Sequence, residues 1–369
     1  MSKNLLLLIR WIVGLLFIFS GLIKVNDPLG LSYKMQEFFE VWALNGLHDY
    51  TLAMSLSMNV FEVLAGVAVI IGWRMKLFSW LLLLLIIFFS FLTGYALFSG
   101  KIKTCGCFGD CLPLTPAQSF GKDLFLLVLI LVLFFANNTI RSALNPRLAV
   151  ALLAAVVLVS TYAQFYVLQH LPFVDCLPYK KGNNLLEQMK TPAGAIPDSF
   201  SIVFSYKKNG QAVEFDQLHF PADFDATYQY VDRKDKLVKK GNGLAAKILD
   251  LSFQTMAGTD TTQAVLNQPG KYLLLLAKDM EKYSEWSAGF SAVLRMAAQK
   301  QLPVFVVTAD ADKAGTYFNQ SIILKCDATV LKTAARVNPT YFLMEGATVV
   351  GKTSYADGEK LLTQLNGLK

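Results

Sequence analysis

Cys105, Cys107 and Cys111 fall within seven residues of one another, in Cys105-Gly-Cys107-Phe-Gly-Asp-Cys111. Thiol–disulfide exchange needs a thiolate, an accessible partner sulfur and a second thiol to resolve the mixed disulfide. The single glycine between Cys105 and Cys107 permits the tight backbone such a pair requires. A Cys-x-Cys bridge closes a small ring, and strained or exposed disulfides are the labile ones. Cys111 is close enough to resolve either sulfur. Lys101, Lys103 and Lys122 favour the thiolate, whereas Asp110 opposes it. Cys176, in Leu-Pro-Phe-Val-Asp-Cys-Leu-Pro-Tyr, is a fourth member. A bridge from it to one of the loop's three would leave one loop pair free to cycle. Three readings stand: a structural clip, as for most disulfides outside the cytoplasm, a redox-active exchanger, or a zinc site from the four thiolates. The spacing is not that of a usual zinc knuckle, and none of His48, His170 and His219 sits beside a second obvious ligand, so no metal is expected.

The elements that must position these cysteines are apolar. Of 369 residues 54% are hydrophobic and only 17% charged, too apolar for a wholly soluble chain, and the excess lies before about residue 170. A membrane half followed by a soluble half is expected. Five stretches approach the ~20 residues that cross a ~30 Å hydrocarbon core: 5–25, 51–72, 76–98, 122–136 and 148–168, the fourth being the shortest. Lys3 and Arg10, Arg74 and Lys76, and Arg141 and Arg147 fall at alternate ends of successive spans, which places those ends in the cytoplasm. The first run has no convincing small-x-small cleavage site and four spans follow it, so it reads as a retained span rather than a signal peptide. The N-terminus is then cytoplasmic. The loops 24–50 and 99–121, everything after about residue 168 and all five cysteines lie on the periplasmic side, where disulfides persist. The Asn137-Asn138-Thr139 sequon falls in a cytoplasmic loop and is read as chance. The net charge of +7 is spread through short loops rather than one face, and nucleic-acid binding is excluded.

Two polar features lie inside the spans. Glu62 sits near the middle of the second, with Asn59 one turn earlier on the same face. A carboxyl at that depth faces the bundle interior or a water-filled cavity, either relaying a proton or pairing with Arg10 or Lys24. Ser160 and Gln164 in the fifth span read as interhelical hydrogen-bonders.

Ser20-Gly-Leu-Ile-Lys24 with Asn26-Asp27-Pro28, Phe61-Glu62-Val-Leu-Ala-Gly66 and the Cys105-Gly-Cys107-Phe-Gly109 loop resemble the DoxX/MauE group of membrane proteins. The resemblance covers about residues 1–170. It implies a four-helix bundle in the bacterial inner membrane, here with a fifth span, and an association with redox maturation of envelope proteins. MauE itself is linked to making methylamine dehydrogenase, whose small subunit is rich in disulfides.

In the soluble half, residues 171–247 form a connector and β-rich lead-in. Residues 201–206 and 212–215 flank Lys207-Lys-Asn-Gly210, an Asn-Gly hairpin signal. The charge run 231–241 is a solvated turn or strand, because Asp232 and Asp235 interrupt its positive charge and no aromatic platform accompanies it. From 248 onward the expected elements are a strand at 249–255, a buried strand at 271–277, a helix at 284–300, a strand at 303–308, a hairpin of 341–344 with 348–351, and a helix at 358–368. This β-α-β, then β-β-α, order is that of thioredoxin. Residues 248–369 resemble the TlpA-like branch of that fold, with Val337-Asn338-Pro339-Thr340 matching its cis-proline loop. The branch's Cys-x-x-Cys pair is missing, since the corresponding stretch is Asp279-Met-Glu-Lys-Tyr-Ser-Glu-Trp286. The α/β domain is therefore expected to lack dithiol oxidoreductase activity. Lone Cys326 reads as core or rim packing. The groove at Pro339 and Thr340 is the candidate partner-binding site, through main-chain pairing.

The expectation is a helical transmembrane bundle followed by an α/β thioredoxin-like domain, in an inner-membrane accessory protein whose Cys105, Cys107, Cys111 and Cys176 carry any exchange chemistry. Glu62 is the intramembrane relay or ion pair. Its partners are the lipid bilayer and an envelope protein client or complex, and a membrane quinone is the candidate electron partner. The alternative is a non-enzymatic scaffold with structural disulfides that docks into an envelope complex.

Overall fold

A computed structural model of the chain describes residues 2–102, 106, 108–196, 199–239, 241–318 and 321–368. The chain forms two compact units, Met1–Gly182 with Ser252–Lys369, and Asn183–Leu251.

The larger unit begins with α1 (Lys3–Asn26), α2 (Pro28–Val41), α3 (Thr51–Ile71), α4 (Met75–Ser99), α5 (Pro116–Ala136) and α6 (Pro146–Gln169). Among the described residues, all of these but α2 belong to five helical stretches long and apolar enough to cross a membrane. Lipid offers no hydrophobic drive between helices, so small residues that let backbones approach decide which helices pair. A Cβ added to Gly66 of α3 would lie 2.6 Å from the Gly14 carbonyl oxygen of α1, and one added to Gly21 would lie 3.0 Å from the Val63 nitrogen. This crossing, with Val13, Phe17, Ala65 and Val69 packed around it, brings the last turn of α1 against the middle of α3.

Two bundle elements differ from expectation. Residues 28–41, taken as part of a connecting loop, are the helix α2. Asp27 caps it by accepting from Gly30 N at 3.1 Å, and Pro28 stands in its first turn, where a missing N–H costs nothing. The fourth span starts at Pro116 rather than 122, because Thr115 and Gln118 form a capping box that hydropathy cannot see.

The smaller unit carries α7 (Leu185–Met189) and the antiparallel strands β1 (Ser199–Lys208), β2 (Gln211–Asp216) and β3 (Tyr228–Lys239), in the order β2-β1-β3. Asn209 and Gly210 both take positive φ, 53° and 85°, as the tight hairpin turn demands. The charge run forms most of β3.

The larger unit resumes with α8 (Thr262–Leu266), β4 (Lys271–Ala277), α9 (Tyr283–Gln299), β5 (Val304–Thr308), α10 (Ala311–Tyr317), β6 (Ile322–Lys325), α11 (Ala328–Ala334), β7 (Thr340–Glu345), β8 (Thr348–Ser354) and α12 (Gly358–Asn366). The sheet order is β6-β5-β4-β7-β8. β4, β5 and β6 are parallel, and β7 and β8 antiparallel, which is the thioredoxin-like order expected. Tyr272–Ala277 of β4 are all buried, as a strand covered on both faces must be. Trp286, Phe290, Val293 and Ala297 are the buried stripe of α9. The strand expected at 249–255 does not form. Only Gln254 bridges, to Asp260 and Lys325.

Candidate functional site

Glu62, fully buried in α3, receives the Lys24 ammonium at 2.5 Å and the Ser20 hydroxyl at 2.9 Å. Both donors lie on the last turns of α1. Lys24 is itself only 3% exposed, and its Nζ stands 4.9 Å from the centre of the Phe89 ring. Two charges in so apolar a setting persist only when paired and hydrogen-bonded. One turn away, Asn59 Nδ2 donates to the Lys24 carbonyl at 3.1 Å and to Gln164 Oε1 at 3.0 Å, while Gln164 donates to the Leu56 carbonyl. Arg10 instead donates to the Val69 and Ile70 carbonyls, so of the two cations expected near Glu62 it is Lys24 that pairs.

A second buried carboxylate lies close by. Asp123 of α5 is paired with Lys122 at 2.5 Å and accepts from Thr93 of α4 at 3.0 Å. The Lys122 ammonium stands 5.2 Å from the ring of Phe108, in the cysteine loop. Lys24, Lys122, Phe89 and Phe108 line one small pocket. A neighbouring cavity of about 50 Å³ is largely apolar, with Lys24, Phe38, Trp42, Met58 and Phe89 among its walls and Gly106 at its edge. Gly106 also borders a larger cavity of about 320 Å³ with charged groups in its walls, together with Tyr33, Lys34, Asp110, Lys332 and Arg336.

Of the four cysteines singled out, Cys111 and Cys176 are joined by a disulfide. Cys105 and Cys107 lie outside the described residues. Cys326 is a free, buried thiol, and burial, with Asp327 beside it, pushes its pKa up to about 12.

The α/β part meets the bundle through charge. Arg336 of the α11–β7 loop donates to both oxygens of Asp27, at 3.0 and 2.8 Å, and to Asp110 at 2.5 Å. Burial works against its charge, but Asp27 and Asp110 outweigh that and hold its pKa above the ordinary value. Lys352 of β8 pairs with Asp175 at 2.7 Å. There burial wins and holds the ammonium below the ordinary lysine range. His170, just beyond α6, meets Asp357 at 2.9 Å.

Pro339, preceded by a cis peptide bond, and Thr340 are both buried. Thr340 is already paired in the sheet with Leu276 and Ser354. Asp279, where the missing cysteine pair would begin, accepts from the Asn338 amide at 3.0 Å. Sequence reasoning missed Asp123, Asp27, Arg336 and Lys352. Asp27-Pro28 was a readable cap signal, but nothing local pointed to Arg336 or Lys352.

The family model described as "Methylamine utilisation protein MauE" matches residues 2–136, which contain α1 to α5, Lys24, Glu62 and the cysteine loop. The chain is a membrane protein. A second family model, a domain of unknown function (DUF8463), matches residues 200–240, the three-stranded sheet. "Protein TlpB" of Flavobacterium psychrophilum is 24% identical over 153 residues, 41% of this chain and 42% of that protein. The chain thus spans less than half the length of this curated relative. No solved structure matches.

Proposed function

We propose that this chain is a thiol–disulfide exchange accessory of the bacterial inner membrane, DoxX-like in its bundle and TlpA-like in its α/β domain. The cysteine loop and that domain would both stand in the periplasm. The observation that carries the reading is the Cys111–Cys176 bridge, which spends two of the four sulfurs and leaves Cys105 and Cys107 as the pair able to cycle. Gly106 between them in sequence lines both a cavity that holds Lys34, Asp110 and Arg336 and a largely apolar one. A client dithiol reaching the loop through the first cavity would reduce a Cys105–Cys107 disulfide, its two electrons and two protons passing to the loop sulfurs as the client's own disulfide forms. A membrane quinone, taking up two electrons and two protons to become the quinol, is the matching acceptor for the apolar cavity. The Lys24–Glu62 ion pair is the proposed intramembrane relay for those protons.

The C105S/C107S double variant, with alkylation trapping of the thiols in intact cells before and after dithiothreitol, tests this. The expected result is loss of client oxidation at unchanged abundance. Thiols locked in one state in the native chain, with full function in the variant, would sink it. A scaffold is the second reading, favoured by an α/β domain that has no cysteine at the start of α9 and is anchored by charged contacts at Arg336, Lys352 and Asp357. It requires the same double variant to keep its function.

A further inference from the structure

Each cysteine of the Cys111–Cys176 bridge follows an aspartate, and each aspartate grips a cation of the α/β part. Asp110 holds Arg336 at 2.5 Å, and Asp175 holds Lys352 at 2.7 Å. The two cations come from different elements, the α11–β7 loop and β8, and their side chains are only 6% and 4% exposed. The two aspartates come from segments 65 residues apart, the cysteine loop and the stretch after α6, which the disulfide holds at a Cα–Cα distance of 4.8 Å. Neither aspartate lies in a regular helix or strand wide enough to fix it. Asp110 sits in a three-residue turn, and the 174–176 stretch is tied down beside the bridge by Val174 exchanging hydrogen bonds with Asn26, at 2.9 and 3.0 Å. Cys111 is exposed and Cys176 half-buried, so a soluble reductant can reach them.

We propose that the Cys111–Cys176 disulfide is a redox-operated latch, presenting Asp110 and Asp175 as a matched pair that locks Arg336 and Lys352, and with them the α/β domain, onto the bundle. Attack by an external dithiol breaks the S–S bond. The dithiol is oxidised to its disulfide, and its two electrons and two protons end on the Cys111 and Cys176 sulfurs. The covalent tie between the two segments is then lost: Asp27 still holds Arg336 and Val174 still exchanges hydrogen bonds with Asn26, but Asp110 and Asp175 are no longer presented together. Loss of the paired geometry opens the segment that leads into the cis peptide bond at Pro339. The latch is independent of any exchange at Cys105 and Cys107, and the test below removes those two residues so that the two ideas fail separately.

The test uses the full chain in lipid nanodiscs, carrying Cys105→Ser and Cys107→Ser so that one disulfide remains to be reduced. Hydrogen–deuterium exchange is followed over residues 335–340 and 349–354 with and without dithiothreitol, and alkylation with mass spectrometry reports the state of Cys111 and Cys176. Exchange in both segments should rise about tenfold on reduction, as expected for a local opening. Asp110→Asn with Asp175→Asn, which keeps the disulfide, should show the fast rate already in the oxidised state and gain little on reduction. Unchanged protection once alkylation shows the bridge open overturns the latch. So does an Asp110→Asn/Asp175→Asn chain that remains as protected as its parent.

Discussion

The bundle and the α/β domain bury charge in opposite ways. The bundle carries Lys24, Glu62 and Asp123 deep among its spans, each neutralised by a partner on the same or a neighbouring helix. The α/β domain fills its centre with Leu273, Leu275, Trp286, Phe290 and Val306 and carries Arg336 and Lys352 to the edge that meets bundle aspartates. One part holds ion pairs within an apolar interior. The other is a well-packed thioredoxin-like fold from which the redox pair is missing, and its charges serve attachment.

If that contrast is right, the largest effect comes from opening the buried pair. Lys24→Met leaves Glu62 uncompensated and should destabilise the bundle by about 3–5 kcal/mol, whereas Lys24→Met with Glu62→Leu should recover most of it. Thermal unfolding in detergent distinguishes the two, and equal loss in both variants would break the comparison. Leu275→Ala, at a position with no exposure in β4, should cost about 2–5 kcal/mol through the cavity it leaves. Far-ultraviolet dichroism should show the sheet melting early while the bundle helices persist.

Smaller effects sharpen the picture. Asp357 is partly buried, which raises its pKa, but hydrogen bonds from Lys360, His170 and Ser354 outweigh that and hold it below the ordinary carboxylate value. A depressed folded pKa contributes stability above the unfolded value of about 3.9, lost as pH falls through the lower folded one. Wild type should therefore lose stability between about pH 4 and the folded value, and Asp357→Asn should remove that part of the acid limb. Because its Lys360 partner is exposed to solvent, it is worth at most about 1 kcal/mol. Cys326, with its thiol pushed up to about 12 by burial, should resist maleimide at pH 8 in the folded chain and react only on unfolding. Rapid labelling of native protein would contradict its packing role.

Much of this was legible in the residues. The five spans follow from the apolar runs, the Asn209-Gly210 hairpin from turn chemistry, and the thioredoxin-like order from alternating buried strands and a 3.6-residue stripe in α9. Where reading by hydropathy failed, the signal was polar. Asp27 and Thr115 cap α2 and α5, and caps add no apolar residues to count. At 249–255 the alternating stretch bridges at one residue only, Gln254, to Asp260 and to Lys325 of β6.

What the sequence determined by itself is whatever depends on near neighbours: which segments are helices or strands, which can sit in lipid, and that the start of α9 holds no cysteine. Tertiary structure decided the partnerships. Lys24 meets Glu62 across 38 residues, Cys111 meets Cys176 across 65, Lys352 meets Asp175 across 177 and Arg336 meets Asp110 across 226. Periodicity tells a residue which face it occupies but not which face lies opposite. That choice was made by the close crossing of α1 and α3 at Gly14, Gly21 and Gly66 and by a disulfide that joins the cysteine loop to the stretch after α6.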